Sequence, residues 1–225
     1  MSPVIECVLF DLDGTLADTA PDMIAALNAV LHEEQRPPIP LSAARDHVSN
    51  GSAALVKLAF GEHQTGKDFE RRKQRFLSHY QSDLCVHTRL FPGMNKLLDT
   101  IEQNNLSWGV VTNKPGWLTN PLMSALGLDQ RAASIISGDT LAERKPHPLP
   151  MLTAAERTAT SPLNCLYIGD AERDIEAGKA AGMQTLIALY GYISFDQTPH
   201  TWGADGNIEH PLDALNWLER SRKRA

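Results

Sequence analysis

The sequence predicts an α/β protein: a doubly wound parallel sheet with a small helical domain inserted directly after its first strand. Three observations carry this. An apolar run, Val4 to Phe10 broken once by Glu6, ends in Asp11-Leu12-Asp13-Gly14. The next stretch, to about residue 86, keeps helical spacing without a strand signal, and from Phe91-Pro92-Gly93 onward helices alternate with short apolar strands. A chain of 225 residues suits one large α/β domain or a core with an insertion. Its 42% hydrophobic and 21% charged residues are ordinary for a soluble globular protein, and a net charge of -6 gives no basic field for nucleic acid. Three scattered cysteines indicate neither a disulfide framework nor a zinc site and fit a reducing compartment. The first residues lack a basic segment followed by a long apolar one, and no apolar run reaches membrane-spanning length.

Taken in order, the first apolar run reads as a buried parallel strand. Asp18 or Thr19 can cap a helix with Pro21 in its first turn, and Met23, Ile24, Leu27, Val30 and Leu31 recur at helical spacing. After Gln35-Arg36-Pro37-Pro38 come a short helix from Leu41, a loop over Val48 to Ser52, a helix through Leu55 to Phe60 and another over Phe69 to Tyr80. The basic cluster Arg71, Arg72, Lys73 and Arg75, beside Asp68 and Glu70, reads as a solvated helix face. Helices Met94 to Gln103, Leu118 to Leu126, Leu149 to Arg157 and Ile175 to Ala181 precede strands Trp108 to Thr112, Ala133 to Ser137, Cys165 to Asp170 and Met183 to Leu189. Tyr190 to Asn207 reads as loop, and a last helix runs from about Pro211 to Arg220.

The strand ends hold the chemistry. Alternation in an extended chain puts Asp11 and Asp13 on one side, with Gly14 allowing a close turn behind them. Paired buried acids are costly without a cation, and hard oxygen donors at the carboxyl edge of a parallel sheet suit Mg²⁺; a solvated Asp-rich turn is the alternative. Thr112 offers a hydroxyl with the Asn113 N–H beside it, or an N-cap. Lys145, before Pro146, can hold an anion or lie on the surface. Asp170 ends its strand, and Asp174 four residues on can join it or favour a helix start. In a doubly wound sheet all these ends share one edge.

Asp11-Leu12-Asp13-Gly14-Thr15, Val110-Val111-Thr112-Asn113, Lys145-Pro146 and Gly169-Asp170 with Asp174 resemble, in order and spacing, the four motifs of the haloacid dehalogenase-like hydrolase superfamily, whose core is Rossmann-like. The helical insertion after the first motif resembles the cap of phosphoglycolate phosphatase-like members. More narrowly, Trp108 to Pro115, Tyr190 to Ile193 and His200 to Asp205 resemble bacterial N-acetylmuramic acid 6-phosphate phosphatases and phosphoglycolate phosphatases. The resemblance implies a cytoplasmic phosphatase, monomer or homodimer, acting on a small-molecule phosphomonoester with no nucleic-acid or membrane partner. Its core would span residues 1–17 and 88–225 and its cap 18–87.

The resemblance further implies Asp11 as nucleophile and Asp13 as general acid and base. Mg²⁺ would be held by Asp11, the Asp13 carbonyl, Asp170 and, through water, Asp174. Thr112, Lys145 and backbone N–H groups of Gly14, Thr15 and Asn113 would hold the phosphoryl oxygens. In the cap, Arg45 and the polar turn Ser49-Asn50-Gly51-Ser52 would face the leaving group, an ordinary helix-helix turn being the alternative. Rival functions are a sugar phosphomutase on the same core and, in a different class, a phospho-accepting receiver domain, whose acceptor would not sit on the first strand.

Overall fold

The computed structural model describes residues 4–63 and 65–223. Strand β1 (Cys7–Phe10) and the short β2 (Ala17–Asp18) lead into helices α1 (Ala20–Glu33), α2 (Leu41–Ala44), α3 (Gly51–Phe60) and α4 (Gly66–Ser82). The chain returns through β3 (Arg89–Leu90). It then alternates as α5 (Met94–Gln103), β4 (Ser107–Val111), α6 (Gly116–Ala125), β5 (Ser134–Ile136), α7 (Leu149–Arg157), β6 (Cys165–Gly169), α8 (Glu172–Ala180) and β7 (Gln184–Ala188), and closes with β8 (Gly206–Ile208) and α9 (Ala214–Lys223).

Six strands form one sheet in the order β5-β4-β1-β6-β7-β8, every neighbouring pair parallel. All four residues of β1 are buried, as a strand covered on both faces requires. Because β1 lies between β4 and β6, strand order reverses there, and the cleft falls at its carboxyl end beside those of its neighbours.

Core packing continues past the sheet. One apolar cluster joins Val8, Phe10 and Ile168 of the strands to Leu27 and Val30 of α1 and to Leu55 and Phe76 of α3 and α4. Phe10 meets Trp108 edge-on with ring centroids 6.5 Å apart. Each such fully buried side chain contributes about 1.5–3 kcal/mol through its removal from water.

Several local expectations change. The segment to residue 86 is helical, but its two ends pair as an antiparallel ribbon, Ala17 with Leu90 and Asp18 with Arg89. Two-residue strands carry no periodicity to read. β8 lies in the stretch expected to be loop, and of its three residues only Ile208 is buried. Val48 to Ser52 is no open loop: a 3₁₀ turn over Arg45–Asn50 runs into α3 at Gly51. The basic cluster of α4 is not simply solvated, since Arg72 pairs with Glu34 at 2.7 Å, Arg71 with Glu34 at 3.7 Å and Arg75 with Glu33, fastening α4 to α1.

Where the chain passes between sheet and helices, Asp22 accepts hydrogen bonds from the His87 and Thr88 N–H groups and the Thr88 hydroxyl at 2.7–3.0 Å. The three thiols are free, with buried Cys7 and Cys165 side by side on adjacent strands. No helix among the described residues is long and apolar enough to cross a membrane.

Candidate active site

A cavity of about 690 Å³ opens at the carboxyl edge of the sheet, between the strand ends and the helices that follow β2. Its wall includes Asp11, Asp13, Thr112, Asn113 and Lys145 from the sheet side and Ser49, Asn50, Gly51 and Ser52 from the 3₁₀ turn and the start of α3. Most expected site residues therefore converge.

Asp11 continues β1, its N–H bonding the Ile168 carbonyl at 2.9 Å, so its carboxylate stands at the strand's end. The following turn closes on itself: Leu16 and Ala17 N–H groups bond the Leu12 carbonyl, and Gly14 N–H bonds the Ala17 carbonyl. Gly14 has φ +86°, and a Cβ there would sit 2.2 Å from Asp170 Oδ2, so both conformation and space demand glycine. The Gly14 N–H and, at 3.4 Å, the Thr15 N–H, both expected to face a phosphoryl group, bond carbonyls inside this turn. Thr15 instead donates its hydroxyl to Asp170 Oδ1 at 3.1 Å.

Lys145 is the hub. Its ammonium lies 2.9 Å from Asp11 Oδ1 and 2.7 Å from Asp174 Oδ1, and donates to the Tyr167 hydroxyl at 2.9 Å. Tyr167 in turn donates to the Val111 carbonyl at 3.0 Å. Asn113 fixes the Lys145 backbone at two points, its amide donating to the Lys145 carbonyl at 2.9 Å and its carbonyl oxygen accepting the Lys145 N–H at 3.0 Å. Thr112 accepts the Lys114 N–H on its hydroxyl at 3.2 Å. Burial pulls the Lys145 pKa down, but the charges of Asp11 and Asp174 more than offset it, and the net shift is upward.

Asp170 and Asp174 are buried beside this lysine. Asp170 Oδ2 accepts the Tyr192 N–H and the Ser49 hydroxyl, each at 2.8 Å. Asp174 Oδ2 accepts the Ala171 N–H at 3.0 Å, so this carboxylate both starts α8 and belongs to the cluster. Burial first, then the neighbouring charges of Asp11 and Asp174, push the Asp170 carboxyl up to about 7; Asp174 is shifted upward as well, chiefly by burial.

One oxygen from each of Asp11, Asp170 and Asp174 lies within 4.8 Å of the others. Asp11 Oδ1, although near the Lys145 ammonium, makes no well-directed hydrogen bond. Three crowded acids with an underused buried oxygen fit a hard divalent cation. Metal-free protein gives a test. Because the folded Asp170 binds its proton more tightly than the unfolded chain, the stability it contributes is complete below pH 3.8 and is lost as pH rises through about 7. In chelator, the melting temperature should therefore fall more across that window for the natural chain than for Asp170→Asn, and added Mg²⁺ should narrow the difference. Parallel pH profiles would contradict the raised pKa.

Asp13 lies apart from the acid cluster. Its Oδ1 accepts from the Thr19 hydroxyl at 2.6 Å, and the Lys114 ammonium lies 2.9 and 3.2 Å from its two oxygens. Lys114 is buried against the Tyr80 ring, 4.5 Å from its centroid; burial pulls its pKa down, but Asp13 and Tyr80 together outweigh this and the net shift is upward. Sequence reasoning missed Lys114, although it stands two residues beyond Thr112, the same spacing that links Asp11 and Asp13. It also missed Arg144 and Arg173 on the cavity wall. Arg45, expected to face the leaving group, does not line the cavity. Its guanidinium holds both oxygens of Asp18 at 3.0 Å and stacks 4.9 Å over the Tyr192 ring, an anchor that its neighbours in sequence do not reveal.

Sequence comparison agrees with this geometry. Residues 8–188 match the profile of the family described as haloacid dehalogenase-like hydrolase, and the chain belongs to that family. It is 48% identical to a phosphoglycolate phosphatase from Xanthomonas campestris pv. campestris (strain 8004) over 204 residues, covering 91% of this chain and 92% of the relative. It is 44% identical to an N-acetylmuramic acid 6-phosphate phosphatase from Pseudomonas putida over 209 residues, covering 93% and 94%. The crystal structure of a predicted phosphoglycolate phosphatase from Haemophilus somnus 129PT superposes with TM-score 0.84 at 28% identity, over 95% of this chain and 97% of that one. Within its family, then, the chain is a phosphatase, an enzyme of phosphoric monoester hydrolysis.

Proposed function

We propose that the chain is a Mg²⁺-dependent phosphatase that cleaves a small phosphomonoester through an aspartyl-phosphate on Asp11. The observation that carries this is the Lys145 ammonium held between Asp11 and Asp174, with Asp170 completing a buried acid cluster at the end of the central strand. A carboxylate cannot approach a phosphate dianion unless positive charge meets both. Lys145 supplies one such charge. Bound by Asp11, Asp170 and Asp174, a divalent cation would supply the rest by neutralising the phosphoryl oxygens.

In the first step a new bond forms between an Asp11 oxygen and phosphorus while the bond to the leaving oxygen breaks, and Asp13 delivers its proton to that oxygen. In the second, Asp13 takes a proton from water, whose oxygen attacks phosphorus and frees Asp11. Thr19 and Lys114 fix the Asp13 carboxyl for both tasks. Residues 1–17 and 88–225 act as catalytic core and residues 18–87 as cap, whose Ser49, Asn50, Gly51 and Ser52 lie on the leaving-group side of the cavity.

Between the substrates named by the relatives, cavity size favours the larger. About 690 Å³ lies within the ~300–1,000 Å³ of ordinary ligand pockets and far exceeds what two-carbon glycolate can fill. Accordingly, kcat/KM for N-acetylmuramic acid 6-phosphate should exceed that for 2-phosphoglycolate by about tenfold or more, as remote binding energy is used in the transition state. The reverse order would assign glycolate. Chelator should silence phosphate release and Mg²⁺ should restore it; undiminished activity in EDTA would remove the metal from the mechanism.

A further inference from the structure

The cavity wall also holds a polar atom that the reaction steps leave unused. Tyr80, near the end of α4, is fully buried and lines the cavity, and its hydroxyl has the Lys114 ammonium beside it but no acceptor for its own proton. Leaving a buried O–H donor without an acceptor costs free energy that phenylalanine at the same place would avoid. Beside it stands the Lys114 ammonium, also on the cavity wall, whose charge is otherwise taken up by Asp13. Met23, Leu77 and Leu118 surround the pair with apolar surface. A neutral donor next to an ammonium in an apolar recess matches an anionic acceptor attached to a carbon skeleton.

The geometry points to Tyr80 and Lys114 as the leaving-group subsite, binding a carboxylate that the substrate carries in addition to its phosphate. This deepens the phosphatase reading and rests on it. Both compounds named by the relatives meet the requirement, since 2-phosphoglycolate and N-acetylmuramic acid 6-phosphate each bear a free carboxyl group besides the phosphate, adjacent to the ester carbon in the first and on a distant side group in the second. Tyr80 thereby becomes a specificity residue supplied by the helical insertion, where Asp11 and Lys145 serve any phosphomonoester.

Matched esters test the idea in the Mg²⁺-loaded protein. 2-Phosphoglycolate is compared with 2-hydroxyethyl phosphate, and N-acetylmuramic acid 6-phosphate with N-acetylglucosamine 6-phosphate, each pair differing by the acidic group. The natural chain should favour the acid in the pair it turns over, and Tyr80→Phe should lower the acid-to-neutral ratio of kcat/KM about tenfold while the melting temperature holds or rises. A ratio unchanged by the substitution, or no preference for the acid in the natural chain, would overturn the subsite. So would a fall in melting temperature with parallel losses on both esters, since Tyr80 would then be structural. A natural chain inert toward all four esters would overturn the phosphatase reading itself, and the subsite with it.

Discussion

Asp11→Asn should abolish phosphate release, lowering kcat by about 10⁴-fold or more while the protein still folds. The amide keeps the shape of the carboxylate but cannot attack phosphorus as an anion. Folding should survive because removing one of three crowded acids relieves repulsion among Asp11, Asp170 and Asp174, although it also removes one partner of Lys145. The measurement is phosphate release at saturating Mg²⁺ together with a melting curve. Activity within tenfold of the natural chain, from a sample shown free of it, would eliminate Asp11 as nucleophile.

Lys145→Met should cost both activity and stability. Its ammonium is nearly inaccessible and bridges two carboxylates with side chains only 7% and 0% exposed. Stripping one partner from a buried charge cluster typically costs about 3–5 kcal/mol, because the remaining charges stay desolvated. Unfolding by denaturant should show a loss of that order. The double variant Lys145→Met with Asp174→Asn should recover much of it, having removed a stranded charge, but should stay inactive. Equal stability of the single variant and the natural chain would mean that the bridge contributes nothing to the fold.

The chemistry at the strand ends was legible because it follows from two simple regularities. Apolar runs of strand length place their last residues at one edge of a parallel sheet, and alternation decides which side chains share a side; Asp11, Thr112 and Asp170 could be found that way. Lys145 followed from its place after a strand and before Pro146. What stayed hidden depends on chain segments distant in sequence. Arg45 is drawn to Asp18 and Tyr192, and Tyr80 looks like any apolar residue of an amphipathic helix until α4 is docked against Lys114. Tyr167 reads as core in a buried strand, yet its hydroxyl braces the Lys145 ammonium. β8 was illegible for a different reason: an edge strand with one buried residue has no pattern to betray it.

The two-residue ribbon at the base of the helices has a consequence for how such a protein can diversify. Since the chain leaves and rejoins the sheet at paired neighbours, Ala17 with Leu90 and Asp18 with Arg89, the distance the intervening segment must span is fixed and short. Asp22 locks that junction through His87 and Thr88. Any segment whose ends can meet at this clasp is geometrically interchangeable, and its replacement leaves the register of β1 with β4 and β6 untouched. Inheritance can therefore rewrite the insert, Tyr80 included, while the Asp11 carboxylate keeps its place at the end of β1.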